Sequence, residues 1–379
     1  MAPRGPISFL CCNVLLVSQL QSFSCTRDQF VVKFKVITLV ADLPAKADCL
    51  RMVQFNGYHS CPWCTIPGEY SRCHKKMLFP LPEEEWEPRT ESEFRRHGSL
   101  AEVLHHSQSG VKGVSPLSSI MQLTKVLFDP MHLLFLGVVR TFICYYVNHR
   151  LVDEVMLSNF LSSVKVPACF KRKPRSMSIR HQFKAAEWRH LILHYHACVF
   201  FCCDAAQIRT HSVLLATFIR ILMKCDISRR DCDDSKTLIK AFRELSASVF
   251  GEASCSFSMH ALEHLPEQTL HFGALWNVSA ATFESCFYEL KKLVSGTRNE
   301  GKLVVQRFLR RKSMVDKRCE TSNIDTVRVC GSLVTLNVQT ISMLSCVYDF
   351  EVQESDEFAY RFIHGIIHTE KHLHRVMLF

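Results

Sequence analysis

Three successive helical segments between residues 184 and 250 constrain the fold of this chain more than any other feature. They read KAAEWRHLILHYHACVFF, HSVLLATFIRILMKC and SKTLIKAFRELSASVF, and each places apolar residues at positions i, i+3, i+4 and i+7. This spacing puts the apolar side chains on one face of a helix. We therefore predict a long, mostly helical stretch in the middle of the chain.

Segments with a β pattern lie on either side of this helical stretch. Residues 30–40, FVVKFKVITLV, are β-branched and apolar and predict a strand. The strand runs into ADLPAKADCL, so Asp42 falls at a strand end and Pro44 starts a helix. After about residue 325 the sequence alternates and is rich in Val and Thr, which predicts a β-rich C-terminal region. The fold class predicted from these patterns is α+β.

Composition limits the class of protein. Of 379 residues, 47% are apolar and 22% charged, which is a globular profile and excludes a disordered chain. The formal charge of +10 suits a polyanionic partner. A chain this long with 19 cysteines is not a small disulfide scaffold, so we expect mostly reduced cysteines in an intracellular protein. Residues 1–25 imitate a signal peptide but have no A-x-A cleavage site, and we expect no membrane partner.

A C-x-x-C pair, Cys61 and Cys64, lies in the turn FNGYHSCPWCTIPGE. A thioredoxin-like redox pair belongs at a helix start after a strand, whereas the flanking GYHS and TIPGEY favour a loop. A loop of this kind is typical of a zinc knuckle, so we predict Zn²⁺ here, with two reduced cysteines and no metal as the alternative. The candidates for the remaining ligands are Cys73 and His74 nearby, or Asp129 and His132 farther along.

Two further motifs contain residue types that bind metals. Asp129 and His132 form a D-x-x-H at the start of the apolar helix DPMHLLFLGVVRTFICYYV, where a helix-capping aspartate beside its own histidine is the alternative. His260 and His264 belong to HALEH, the H-x-x-E-H pattern of one class of zinc peptidases. Histidines at i and i+4 can bind zinc on one helix face, but a peptidase needs a third ligand.

Two clusters of basic residues carry four charges each, KRKPR at 171–175 and RFLRRK at 307–312. Both patterns are typical of phosphate contacts or nuclear import signals, with a solvated charged loop as the alternative. The predicted DNA-binding residues are Lys171, Arg172, Lys173, Arg175, Arg310 and Arg311.

Two acidic residues are candidates for catalysis. Asp42 ends the predicted strand, and Glu284 lies on the amphipathic helix SAATFESCFYELKKLVS. A two-metal phosphoryl-transfer site needs carboxylates that converge on Mg²⁺ ions about 4 Å apart. The alternative for Asp42 is a turn or cap residue, which is the usual role of an aspartate at a strand end.

Four segments in this order resemble the catalytic region of CACTA-type transposases and their animal relatives, the transposase domain-containing proteins. They are VADLPAKADCLRMVQFNGYHSCPWCTIPGE, FDPMHLLFLGVVR, FKAAEWRHLILHY and HALEHLPEQTLHFGALWNVSAATFE. No single segment is specific, but the ordered set covers roughly residues 30–310.

The resemblance implies an RNase H-like core whose three acidic residues bind two Mg²⁺ ions, with Asp42 as the second acid and Glu284 as the third. It implies cleavage and joining of DNA, a nuclear location and a homo-oligomer. The implied division is a leader at 1–29, a partial core at 30–54, the C-x-x-C turn and an irregular excursion at 55–115, a helical insertion at 116–275, the closing core helix at 276–312 and a β-rich region at 313–379.

The chain departs from the family where the first acid should lie. That acid belongs on an opening strand, but Asp28 is the only acidic residue before Asp42, and it adjoins the strand that Asp42 ends. The expectation is an N-terminally truncated copy that is inactive alone. A nucleic-acid or protein binding module without chemistry is the alternative function, and a zinc peptidase is a remote one.

Overall fold

The computed structural model describes residues 25–27, 30–81, 86–167, 170, 172–294, 306–307, 310, 346–354, 359–363, 366–368 and 373–375. They fall into two compact units. The larger unit comprises Ala41–Ser118 and Val126–Ser279, and the smaller one takes the described parts of Met1–Val40, Ser119–Lys125 and Ala280–Phe379. The chain is α+β with mostly helical content, as its sequence predicts.

Antiparallel strands make up most of the smaller unit's described structure. They are β1 (Cys25–Arg27), β2 (Phe30–Ala41), β6 (Cys346–Glu354), β7 (Ala359–Ile363), β8 (Ile366–His368) and β9 (Leu373–Arg375), and they pair in the order β1-β2-β6-β7-β8-β9. The register of β2 against β6 runs from Phe30 opposite Glu354 to Leu39 opposite Cys346. The predicted strand at 30–40 is confirmed, and helix α11 (Ala281–Lys291) confirms the helix predicted from SAATFESCFYELKKLVS.

Helices dominate the larger unit. Its elements are α1 (Leu43–Leu50), β3 (Glu69–Ser71), β4 (Lys76–Leu78), α2 (Glu91–Leu104), β5 (Val126–Phe128), a π-helical segment (Met131–Val139), α3 (Arg140–Asn148), α4 (Glu154–Ser163), α5 (Ala185–His194), α6 (His196–Cys202), α7 (Ala206–Leu222), α8 (Arg229–Phe250), α9 (Phe257–Ala261) and α10 (Leu265–Phe272). The three predicted helical segments are confirmed, although the first divides at Tyr195 into α5 and α6.

Helix α2 corrects the prediction of an irregular excursion at 55–115. Its first turn has a capping box, in which the Thr90 hydroxyl accepts from the backbone N–H of Glu93 and the Glu93 carboxylate accepts from the backbone N–H of Thr90. This T-x-x-E signature was present in the sequence and marks a helix start. The Pro and charged residues around this signature are typical of an irregular segment and favour a loop instead.

The segment Met131–Asn148 is long and apolar enough to cross a membrane by length and composition alone. Here it lies at the centre of the helical core, where Phe142 packs edge-on against Phe242 and near Phe250. Its Tyr146 hydroxyl bonds to His211 Nδ1, and His211 Nε2 bonds to Ser246 Oγ at 2.7 Å. The chain of bonds satisfies polar groups that have no access to water.

Candidate metal centre

The C-x-x-C turn is shaped by one buried arginine. Arg89 Nε donates to the carbonyl oxygens of Cys61 and Cys64 at 2.7 and 3.0 Å, and its Nη2 donates to those of His59 and Ser109 at 2.8 and 2.9 Å. The backbone N–H of Trp63 donates to Cys61 Sγ at 3.4 Å. The two sulfur atoms are therefore held on the same side of a fixed loop.

The two histidines of HALEH come from the helical turns between α9 and α10. His260 lies in α9, and His264 ends the short 3-10 turn Leu262–His264 that precedes α10. The spacing of four residues places both rings on one face. Their Nε2 atoms are 3.2 Å apart, with His260 fully buried and His264 half-buried.

The cysteine pair and the histidine pair meet in one cluster. Cys61 Sγ lies 3.3 Å from His264 Nε2, and Cys64 Sγ lies 3.3 Å from His260 Nε2. All four ligand atoms lie within 4.8 Å of one another. The partners are separated by 203 and 196 positions along the chain, so only the tertiary fold brings them together.

These distances match those of a tetrahedral zinc site. Zinc binds sulfur at about 2.3 Å and nitrogen at about 2.0–2.1 Å, so a tetrahedron sets S···N at about 3.5 Å and N···N at about 3.4 Å. The observed separations of 3.3 and 3.2 Å are within a few tenths of an ångström of these values. The cluster has the donor set and the size to hold a metal ion.

The protonation of Cys61 and His260 suits metal binding. Burial opposes ionisation of Cys61, but a hydrogen bond from Cys64 and the adjacent His264 and His260 hold the pKa of the Cys61 thiol well below its usual value. The same thiol–thiol hydrogen bond, together with burial, raises the pKa of Cys64. Burial lowers the pKa of His260, which keeps its imidazole neutral as a ligand must be.

The carboxylate of Glu263 lies next to the ring of one candidate ligand, His260. Glu263 Oε2 lies 3.2 Å from His260 Nδ1, without the alignment of a hydrogen bond, and its other oxygen contacts the buried Arg243. A carboxylate that accepts the second N–H of a ligating histidine orients the ring and makes the ligating nitrogen more basic. The glutamate of H-x-x-E-H is therefore the residue placed to support His260 as a ligand.

Aromatic rings enclose the cluster. Phe79 stacks on His260 with ring centroids 6.1 Å apart, and Phe257 meets the same ring edge-on. On the other side, Trp63 and Phe128 stack on His264 at 5.6 and 6.0 Å. An apolar shell of this kind excludes water and strengthens the interaction of an ion with its ligands.

Asp129 and His132 bond to each other and are not members of the cluster. The buried Asp129 carboxylate accepts from His132 Nδ1 at 2.5 Å and from the backbone N–H groups of Met131 and His132 at 3.2 and 3.0 Å. This is the capping arrangement that the sequence offered as the alternative. In the described ranges the cluster consists of Cys61, Cys64, His260 and His264, without Cys73 or His74.

A buried lysine lies beside this capping pair. Lys46 Nζ sits 3.8 Å from the centroid of the Phe128 ring. Burial lowers the pKa of its amine to about 7, although the Asp129 carboxylate acts in the opposite direction. The sequence pattern gave no signal for this burial.

Asp42 caps helix α1. Its Oδ1 accepts from the backbone N–H of Ala45 at 2.9 Å, directly after strand β2 ends at Ala41. Glu284 is exposed on α11. The two residues belong to different compact units, so their convergence on Mg²⁺ stays a prediction.

Arg175, one of the predicted DNA-binding residues, has a well-defined contact within the protein. Its Nε and Nη2 atoms donate to the two oxygens of the buried Glu187 at 2.6 and 3.0 Å, and Arg172 lies 3.9 Å from the same carboxylate. This bidentate pair fixes the loop onto α5. Lys173 and Arg310 are exposed. The predicted DNA-binding residues Lys171 and Arg311 lie outside the described residues.

No protein-family model matches this chain, and no curated protein matches its sequence. The fold and the cluster define an α+β protein whose larger, helical unit contains a buried Cys₂His₂ site fit for a metal ion.

Proposed function

We propose that the Cys₂His₂ cluster binds a structural zinc ion. The observation that carries this proposal is the convergence of two cysteine sulfurs and two histidine nitrogens, at spacings close to those of a tetrahedral zinc site, in an aromatic-lined position. The ion fastens the C-x-x-C turn to the α9–α10 region. Zinc at this position supplies cross-linking rather than chemistry.

The closed ligand set favours this role over a zinc peptidase. A catalytic zinc has three protein ligands and keeps one position open for water, whereas this cluster offers four. The glutamate that a peptidase would use as its general base contacts His260 and Arg243 instead.

Metal analysis of the purified, reduced protein tests the zinc proposal. We expect one zinc per chain, and cobalt(II) exchanged into the site should give the visible spectrum of a tetrahedral centre with thiolate ligands. Replacement of His264 by Ala should abolish that spectrum. A protein that binds no metal, or binds it equally well in the His264→Ala variant, would contradict the assignment.

We further propose that the protein is transposase-derived and acts on DNA. The ordered resemblance supports this function, and two of its segments, the C-x-x-C turn and HALEH, are the ones that meet in the metal cluster. The excess of ten positive charges suits a DNA partner.

Salt-dependent DNA binding tests this function. Affinity should fall as salt rises, because phosphate contacts release counterions. Alanine at Arg172 and Lys173 should lower both affinity and salt slope, and Arg175 is left intact because it holds Glu187. Failure of the native protein to bind DNA at low salt would reject the proposal.

A Mg²⁺-dependent nuclease is the second candidate function, favoured by the position of Asp42 immediately after β2. A native chain that nicks supercoiled DNA with Mg²⁺ or Mn²⁺ should lose this activity in Asp42→Asn and Glu284→Gln, whereas a native chain that does not nick matches the expected inactive copy. Asparagine keeps the capping acceptor of α1 but removes the charge, so it separates catalysis from helix stability. Nicking that survives both substitutions would exclude these two residues as metal ligands.

A further inference from the structure

The hairpin formed by β3 and β4 presents a basic tip. Glu69 pairs with Leu78 and Ser71 pairs with Lys76, which leaves residues 72–75 as the turn. Residues 69–78 contain three basic side chains, Arg72, Lys75 and Lys76, and one acidic side chain. All residues from 72 to 76 are exposed, so the tip carries a net positive charge into solvent.

An exposed aromatic ring accompanies this charge. Tyr70 is 53% exposed on β3, across the ladder from the buried Met77. Lys76 Nζ donates to the carbonyl oxygen of Ala253 at 2.5 Å, which anchors that amine to the larger unit's own backbone. Arg72 and Lys75 therefore remain the cations best placed to meet an anion.

The base of the hairpin is fixed to the metal cluster. At Phe79, which follows β4, the backbone N–H donates to the carbonyl oxygen of Cys255 at 2.7 Å and the carbonyl oxygen accepts from Arg243 at 2.8 Å. The Phe79 ring stacks on His260. Gly68, at a positive φ of 71°, admits that ring where a Cβ atom would come within 2.9 Å of it. A surface element held so firmly loses little entropy on binding.

We propose that this hairpin is a DNA contact surface, in which Arg72 and Lys75 bind backbone phosphates and Tyr70 stacks on an unpaired base. The inference rests on the proposed DNA function and adds a site to it. Cationic side chains that track phosphates next to an exposed aromatic ring are the combination by which proteins hold single-stranded DNA. The preferred ligand is therefore DNA with an unpaired segment.

Fluorescence anisotropy across a range of salt concentrations tests the proposal, with a labelled single-stranded deoxyoligonucleotide and the duplex of the same sequence. Alanine at both Arg72 and Lys75 should reduce the single-strand salt slope by about 1.4, since each phosphate contact contributes about 0.7. Tyr70→Ala should weaken single-strand binding about 5- to 150-fold at an unchanged slope, and Tyr70→Phe should restore it.

A matched control removes the same charge elsewhere. Lys236 and Lys240 are exposed on α8, and their replacement by alanine should leave the slope closer to that of the native protein. Equal losses in both double variants, or native binding in the hairpin variants, would overturn the hairpin site while DNA binding itself stands. If the native protein shows no preference for the single strand over the duplex and Tyr70→Ala leaves single-strand affinity unchanged, the stacking contact is overturned. No binding by the native protein would instead reject the proposed function.

Discussion

Replacement of Cys61 by serine should remove much of the stability of the larger unit. The substitution changes one atom of a buried side chain, so packing is nearly conserved while a thiolate ligand is lost. The unfolded chain can offer zinc the local C-x-x-C pair but must close a loop of 203 positions to add His264. Closing a loop of that length costs about 5 kcal/mol of chain entropy.

The folded protein already holds the ligands close together. Chain entropy alone therefore makes its free energy of zinc binding more favourable than that of the unfolded chain by about 5 kcal/mol. This is a third or more of the stability of an ordinary domain, which lies at about 5–15 kcal/mol. Urea unfolding followed by circular dichroism, at fixed free zinc and under reducing conditions, measures the loss directly. Chelation of zinc from the native protein should produce a similar loss.

Cys203→Ser is the matched control. Cys203 is also buried, and its thiol donates to the carbonyl oxygen of Val199, a bond that a serine hydroxyl can reproduce. We expect a loss of about 1 kcal/mol or less for this variant. If Cys61→Ser is no more destabilising than Cys203→Ser, or retains one zinc per chain with native stability, the cluster does not cross-link the fold.

Three further outcomes follow from contacts in the larger unit. Glu263→Gln should lower zinc affinity about 10- to 100-fold in a chelator competition, because the carboxylate behind the ligand is lost, and unchanged affinity would count against that role. Burial lowers the pKa of His211 to about 3, so its contribution to stability is present above about pH 6.5 and is lost as the pH falls toward 3. His211→Gln should therefore reduce the slope of stability against pH in that window by up to about 1.4 kcal/mol per pH unit, and an identical slope would refute the assignment. Arg175→Lys should cost about 1 kcal/mol in urea unfolding, because lysine cannot bond both oxygens of Glu187 and the arginine is partly solvent-screened; a neutral substitution would show that the pair adds nothing.

Local patterns in the sequence predict many of the helices and strands. The apolar spacing of α7 and α8 and the β-branched run of β2 predicted those elements, because a helix face and a strand alternation depend on near neighbours. A capping role is the alternative that the sequence gives for Asp42 and Asp129, and both side chains cap helical turns. The capping box of helix α2 is visible in the sequence, but the Pro and charged residues around it are more typical of a loop and outweigh so short a signal.

The metal site depends on contacts between distant residues, which local sequence patterns do not predict. The C-x-x-C turn predicts a zinc site, whereas HALEH taken by itself matches the pattern of half of a peptidase site. Residue type alone offers Asp129 and His132 as partners for Cys61 and Cys64, but these two residues bond to each other within one helical turn.

The sequence by itself determined the elements, the caps and the two halves of the cluster, because each depends on interactions within a few residues. Only the tertiary structure decided that the halves belong together. Ligands separated by about two hundred positions meet through the packing of the helical core and the aromatic rings around it, and no periodicity in the chain encodes that contact.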